Sequence, residues 1–239
     1  MASVGPPDAA RQRGPTLAVE RGLLAAGAPR VIGMDEVGRG ALAGPVCVGA
    51  VCVTRETPDP PPGLADSKEL RPAQRETMAQ ALATWGVGWS LGWASAADVD
   101  RYGIIGALRQ AGLRALSTLA CEDATILLDG HHDWLSAPLT LAEAMDDDVP
   151  SLGALAVAQV VMRVKADASC ASVAAASVHA KVARDQMMGR LAAEYPAYGW
   201  AENKGYGSAE HREVIARLGP TDQHRRTWHL FGPKSDAGR

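Results

Sequence analysis

Four carboxylates stand beside predicted strands, where a charged side chain is costly. Asp35 and Glu36 end one strand. Asp129 ends a second, and Asp167 follows a third immediately before a helix. Because several strand ends can meet at one edge of a sheet, these side chains would repel one another unless divalent cations lay between them. Carboxylate oxygens are the hard ligands that Mg²⁺ and Mn²⁺ prefer, so the pattern predicts a metal site.

Each carboxylate also has an interpretation that needs no chemistry. Asp35 and Glu36 could end a strand at the surface, and Asp129, which precedes Gly130, could be a turn residue. Asp167 could be the N-cap of the helix that follows it. Taken singly, Asp129 and Asp167 favour these structural roles. Only the joint pattern favours metal binding.

Three further segments contain residue types that can bind phosphate or sugar. The turn Gly38-Arg39-Gly40 could bring backbone N–H groups close to a ligand, although a bare tight turn explains it equally well. Ser67-Lys68 could contact phosphate or simply begin a helix. Tyr206, within the glycine-rich residues 204–207, could contact a substrate or pack inside a loop.

The charge distribution is compatible with a nucleic-acid substrate, although the net charge is −3. Residues 121–148 contain eight carboxylates and no Lys or Arg, whereas residues 179–239 contain ten Lys or Arg and seven Asp or Glu. A cation site beside a phosphate-binding surface fits this pattern, and so do solvated faces of either sign. The sequence shows no Ser-His-Asp or Cys-His pattern, so a side-chain nucleophile is not predicted.

The sequence predicts a cytoplasmic protein that does not cross a membrane. Its four cysteines lack CxxC spacing and are typical of buried apolar residues in a reducing compartment. No signal peptide is predicted, since no apolar stretch follows Arg11 and Arg13. The longest apolar run, residues 41–53, is too short to span a bilayer.

Alternating strands and helices must position these residues. Three strands come first and an alternation of helix and strand follows, which predicts an α/β fold with a mixed sheet, helices on its faces and a helical C-terminal appendage. The predicted strands are 31–35, 45–53, 87–93, 124–128 and 160–164. The predicted helices are 17–26, 72–84, 95–116, 169–194, 209–218 and 222–229, and residues 1–15 are predicted to be a disordered tail.

Seven short blocks of sequence occur in an order that resembles the order of motifs in a known protein family. The first is GMDEVGRGALAGPV at residues 33–46. The later blocks are DSKEL at 66–70, LLDG at 127–130, AAASVHAKVARD at 174–185, NKGYGS at 203–208, HR at 211–212 and HRR at 224–226. Together they cover roughly residues 31–228 and resemble ribonuclease HII, the second type of ribonuclease H, block by block.

The resemblance implies a fold and a metal site. The fold is a ribonuclease H-like mixed five-stranded sheet flanked by helices over residues 16–200, followed by a helical extension over residues 201–239. The implied metal ligands are one neighbouring Asp–Glu pair and two further aspartates, and together they bind two Mg²⁺ or Mn²⁺ ions during catalysis. They are Asp35, Glu36, Asp129 and Asp167.

The resemblance also implies how substrate is recognised and cut. Gly38, Arg39 and Gly40 read the 2′-OH of the ribonucleotide and its flanking backbone, Tyr206 stacks on the sugar of the next deoxynucleotide, and Lys68 contacts phosphate. The chain is expected to act as a monomeric endoribonuclease in ribonucleotide excision repair. It would cut on the 5′ side of ribonucleotides in RNA/DNA hybrids and in duplex DNA, leaving a 3′-OH and a 5′-phosphate.

Two alternatives remain open on the sequence. Another ribonuclease H-like nuclease acting on DNA would share the carboxylates but not residues 38–40 and 204–208. A non-catalytic nucleic-acid-binding module would not need four carboxylates, which weaken binding to phosphate without metal. The sister family ribonuclease HIII usually lacks the Arg that corresponds to Arg39. Five positions depart from the family pattern, namely His179, Ser208, Thr227, Trp228 and Ala166, and they put only the local packing in doubt.

Overall fold

The computed structural model describes residues 14–231 apart from 121, 137, 147–154 and 156. The predicted tail therefore lies outside the described residues, except for Gly14 and Pro15. The strands are β1 Val31–Val37, β2 Val46–Val53, β3 Gly88–Ala94, β4 Thr125–Asp129 and β5 Gln159–Arg163. The helices are α1 Ala18–Ala25, α2 Pro72–Leu82, α3 Ala96–Leu116, α4 Leu141–Ala144, α5 Ala166–Ser169, α6 Ala171–Glu194, α7 Trp200–Asn203 and α8 Ala209–Leu218.

The strands form one mixed sheet in the order β3-β2-β1-β4-β5. β1, β2 and β3 pair as an antiparallel meander, whereas β4 and β5 run parallel to β1. The predicted α/β class and the mixed five-stranded sheet with C-terminal helices are confirmed. The parallel pairing places the carboxyl ends of β1, β4 and β5 at one edge of the sheet, where the predicted site residues lie.

Alternation along β1 and β2 distributes apolar side chains to both faces of the sheet. Ile32 and Met34 pack in the cluster that contains α3, and Val31 packs in the cluster that contains α6. The α6 face is unusually close, because a Cβ at Gly49 would lie 2.9 Å from the carbonyl carbon of Ala176. The run of small buried residues at the start of α6 therefore lets this helix lie directly against the sheet and holds it firmly beside the site.

The predicted helix over residues 222–229 is wrong, because these residues form turns. Several of their backbone groups bond to distant partners: the amides of Arg226 and Thr227 both donate to the carboxylate of Asp100. The amide of Arg225 donates to Leu42 O. The predicted long helix from residue 169 is also divided, since α5 ends at Ser169 and α6 begins at Ala171.

The C-terminal segment packs against the loop between β1 and β2. A buried cluster joins residues of that loop and of α6 to residues of the C-terminal segment. Its members are Leu42, Ala43, Met188, Tyr198, Trp200, Ile215 and Leu230. The proposed boundary after residue 200 falls inside α7 and stays a prediction. In the described part of the chain no helix is long and apolar enough to cross a membrane, and Cys47, Cys52 and Cys170 are buried.

Candidate active site

Asp35 and Asp129 lie side by side at the carboxyl ends of two neighbouring parallel strands. In the β1–β4 register, Met34 is opposite Leu128, so the next residue on each strand is an aspartate. Asp35 is 6% exposed. Glu36 continues β1, with its side chain 15% exposed. The sequence order alone did not establish this adjacency, which depends on β4 pairing with β1.

Asp167 joins this edge of the sheet from the short helix α5. Lys165 has a left-handed backbone conformation, with φ +57°, and turns the chain from β5 into α5. The amide of Ala166 then donates to Asp129 Oδ1 at 2.7 Å. The interpretation of Asp167 as an N-cap does not hold, because the N-cap residues of α5 and α6 are Lys165 and Cys170.

The four carboxylates influence one another electrostatically. Burial and the negative charges of Glu36, Asp129 and Asp167 together raise the pKa of Asp35 to about 8, against a lowering effect of a hydrogen bond with Ser177. Burial likewise raises the pKa of Glu36. Such a cluster of buried, mutually repelling carboxylates is an arrangement that bound cations would stabilise.

Two side-chain cations of the protein already pair with this cluster. Lys68 Nζ lies 3.1 Å from Asp167 Oδ2, and Arg39 Nη1 lies 3.2 Å from Glu36 Oε1. Among the described residues, no group of three or more His, Cys, Asp or Glu is arranged so that it could hold a metal ion as it stands. The donor set nevertheless fits Mg²⁺ or Mn²⁺, because it consists only of carboxylate oxygens, and exchange of the Lys68 and Arg39 pairs would free them.

Ser67 contacts the carboxylate cluster indirectly, through Ser177. Its side chain is buried and its Oγ lies 2.9 Å from Ser177 Oγ, while Ser177 hydrogen-bonds Asp35. Ser67 does not begin a helix, since α2 begins at Pro72 with Arg71 as its N-cap. Lys68 is largely exposed, with 74% of its side chain open to solvent, so it can meet a phosphate as well as Asp167.

The two glycines of the Gly38-Arg39-Gly40 turn are in different surroundings. Gly38 has φ +88°, and a Cβ there would overlap the guanidinium of Arg184. Gly40 is exposed, its φ lies outside the left-handed region, and nothing lies within 4 Å of the position its Cβ would take. The fold therefore requires glycine at position 38 but not at position 40.

Tyr206 stands next to this turn, although it comes from the C-terminal segment. The preceding carbonyl, Gly205 O, accepts hydrogen bonds from the amides of Leu42 at 2.8 Å and Ala43 at 3.1 Å. The Tyr206 side chain is exposed, and its ring centre lies 5.5 Å from the guanidinium carbon of Arg184. The carboxylates, the glycine turn and the tyrosine loop thus form one continuous surface.

Two buried histidines, His211 and His224, hold the tyrosine loop, and the sequence blocks that contain them did not indicate this role. The indole N–H of Trp200 donates to His211 Nε2 at 3.0 Å, so His211 Nδ1 carries the proton donated to Tyr206 O at 2.8 Å. His224 Nδ1 accepts from the amide of Thr221, so His224 Nε2 donates to His211 Nε2. Both rings are neutral in this network.

Folding stability is expected to fall as the pH decreases from 6.5 towards 4 because of this network. Burial and the neighbouring His211 and Arg226 lower the pKa of His224 from 6.5 to about 4, against a raising effect of Asp222. The unfolded chain therefore binds more protons than the folded chain in that window. Lowering the pH through the whole window reduces the free energy of unfolding by an amount on the order of 3 kcal/mol. Urea unfolding of the parent and of His224→Gln at several pH values measures this. An equal pH slope in the two proteins contradicts it, and the exposed-site control His229→Gln should keep the parental slope.

The departures from the family pattern are accommodated locally. Ser208 caps α8, because its Oγ accepts from the amide of His211 at 3.2 Å. Thr227 Oγ1 donates to Asp100. His179 is buried and stacks parallel to Trp89 with ring centres 4.1 Å apart, on the edge strand β3 rather than at the carboxylates.

Comparisons with known proteins identify what this arrangement is similar to. A sequence model of the family described as ribonuclease HII matches residues 32–231. Ribonuclease HII of Streptomyces avermitilis is 41% identical over 215 residues, which cover 90% of this chain and 83% of that protein. The crystal structure of ribonuclease H2 from Pyrococcus horikoshii superposes with a TM-score of 0.60 at 26% identity, covering 84% of this chain and 94% of that one. Bst-RNase HIII in complex with Mn²⁺ shares the fold, with a TM-score of 0.59 at 20% identity over 85% of this chain and 68% of that one.

Proposed function

The chain belongs to the ribonuclease HII family of endoribonucleases, and from that premise we propose that it cuts on the 5′ side of ribonucleotides, both in RNA/DNA hybrids and within duplex DNA. The products are a 3′-OH end and a 5′-phosphate end. The observation that carries the proposal is the continuous surface formed by the Asp35 cluster, the Gly38–Gly40 turn and Tyr206. The chain is proposed to work as a monomer in the cytoplasm, in ribonucleotide excision repair.

Asp35, Glu36, Asp129 and Asp167 are the proposed ligands of two divalent cations, Mg²⁺ or Mn²⁺. Support comes from their shared position at the sheet edge and their all-oxygen chemistry, together with the Mn²⁺ complex described for Bst-RNase HIII. When bound, such a pair of ions supplies a water of lowered pKa for attack and positive charge for the leaving 3′ oxygen. Ser177 orients Asp35, and the Ala166 amide orients Asp129.

The Gly38–Gly40 turn is the proposed reader of the 2′-OH, the group that distinguishes RNA from DNA. It follows directly after the strand that carries Asp35 and Glu36, so the recognised sugar lies close to the scissile phosphate. Tyr206 packs on the sugar of the next deoxynucleotide, which its exposure permits. Lys68 contacts a phosphate beside Asp167. A nuclease specific for DNA would have no use for such a turn, and family membership argues against a module without catalysis.

Mapping the cut on a duplex with a single ribonucleotide tests the proposal. With Mg²⁺ or Mn²⁺, the expected fragments are a DNA piece that ends in 3′-OH and a downstream piece that begins with a 5′-phosphorylated ribonucleotide. Because the turn recognises the 2′-OH, the same duplex with 2′-deoxy at that position should stay intact. A cut on the 3′ side, a 2′,3′-cyclic phosphate product, or equal cleavage of the all-DNA duplex contradicts the proposal.

A further inference from the structure

We propose that two buried arginines, Arg184 and Arg225, are positioning residues that turn the amide N–H groups of Arg39 and Gly40 outward to the ribonucleotide. The inference rests on the proposed function, because it concerns how the same surface distinguishes a ribonucleotide from a deoxynucleotide. Neither arginine contacts the substrate in this view. Each acts through the backbone that it holds.

Both guanidinium groups are fully buried without a carboxylate to neutralise them. Arg184 and Arg225 are each 0% exposed, and within the described residues neither forms an ion pair. Burial, together with the positive charge of Arg184, lowers the pKa of Arg225 to about 9. Burying two like charges close together is costly, so their presence here calls for a function beyond filling space.

Arg225 binds the glycine turn through its carbonyl oxygens. Its Nη1 donates to Arg39 O at 2.8 Å, and its Nη2 donates to Gly38 O at 2.7 Å and to Gly44 O at 3.2 Å. One planar guanidinium thus spans the start and the end of the loop. A lysine ammonium could not reproduce this fork, because its donors radiate from a single nitrogen.

The direction of the two carbonyls fixes the direction of two amides. The described residues include no cis peptide bond, and in a trans peptide the C=O and the following N–H point opposite ways. With Gly38 O and Arg39 O drawn toward Arg225, the N–H groups of Arg39 and Gly40 face away from it. Among the described residues neither amide donates a hydrogen bond, so both are free to bind an oxygen at the exposed side of the turn.

Arg184 fastens the same loop to the tyrosine loop. Its Nε donates to Pro45 O at 2.8 Å and its Nη1 to Lys204 O at 3.0 Å. The guanidinium also lies beneath Gly38 and beside the Tyr206 ring. The glycine turn and the tyrosine loop, which are far apart in sequence, are therefore both held by Arg184. A shift of the Arg184 side chain would move both.

Lysine substitution separates positioning from mere stability. Arg225→Lys and Arg184→Lys are compared with the parent and with Arg190→Lys, an exposed arginine on the same helix as Arg184. The readouts are kcat and KM on the single-ribonucleotide duplex, and affinity for that duplex relative to the all-DNA duplex with Ca²⁺ replacing the catalytic ion. Misplaced recognition groups should lower kcat/KM on the order of 10- to 100-fold. The affinity ratio should fall toward one while all-DNA binding is kept, and Arg190→Lys should match the parent.

A simple loss of folded protein would lower kcat alone and leave KM and the affinity ratio unchanged. That result, or parental values in both variants, overturns the inference. The parent offers a second test that needs no variant: the ¹⁵N–¹H signals of Arg39 and Gly40 should shift on adding the ribonucleotide duplex but not the all-DNA duplex, and equal shifts overturn the inference. If the parent fails to cut at the ribonucleotide, the proposed function fails instead, so the two failures are distinguishable.

Discussion

Asp129→Asn is expected to abolish cleavage while leaving the fold intact. The amide oxygen of asparagine can still accept the hydrogen bond from the Ala166 amide, so the local structure is kept. A carboxamide is a far poorer ligand for a hard cation than a carboxylate, and the loss should exceed about 100-fold, the upper end of the cost of losing a residue that merely orients a ligand. Asp35→Asn should behave in the same way. Initial rates on the single-ribonucleotide duplex with Mg²⁺ or Mn²⁺ measure the effect.

The thermal midpoint of both variants should equal or exceed that of the parent, since each replaces a buried carboxyl group, whose ionisation its neighbours oppose, with an amide that cannot ionise. Duplex binding should likewise persist or tighten. Asp59→Asn is the matched control, because the Asp59 side chain is 71% exposed in a surface ion pair with Arg21. This variant should cleave the duplex at the parental rate. Near-parental cleavage by folded Asp129→Asn would remove Asp129 from the proposed site.

The sequence predicted the elements that carry the carboxylates, but not the contacts between those elements. Val31–Val37 and Thr125–Asp129 are apolar enough to be recognised locally as strands. Their parallel pairing, which sets Asp35 beside Asp129, depends on a connection that passes through β2, α2, β3 and α3. The family resemblance supplied that information, since pairing over such distances leaves no trace in local periodicity.

The buried polar groups were the least predictable part of the site. Arg184 lies in a helix and Arg225 in a turn, and in sequence either would be assigned to the surface, where most arginines lie. Their partners are backbone carbonyls of the β1–β2 loop and, for Arg184, also the carbonyl of Lys204, and no residue type reveals such partners. The same remote bonding explains the wrong helix over residues 222–229: its local propensity was overruled by bonds to Asp100 and Leu42.

Gly40→Ala is expected to impair cleavage without destabilising the protein, and it distinguishes ligand approach from a bare tight turn. The added methyl group would project into open space, and the φ of Gly40 lies outside the left-handed region that favours glycine. If that space receives the ribonucleotide sugar, the methyl group displaces it by about 1 Å, which can cost on the order of 100-fold in rate. The loss should appear on the single-ribonucleotide duplex as raised KM together with lowered kcat, with an unchanged melting temperature.

Two other glycines provide the comparison. Gly189→Ala, on α6, also meets nothing within 4 Å and should keep full cleavage while gaining a few tenths to about 1 kcal/mol from helix propensity. Gly38→Ala should lose both stability and cleavage, because its φ is +88° and its Cβ would overlap Arg184. Parental kinetics in Gly40→Ala would show that no ligand approaches this face of the turn. Cleavage would then have to be explained by Arg39 and Tyr206 without close backbone contact, and the outward amides of the turn would lose their proposed partner.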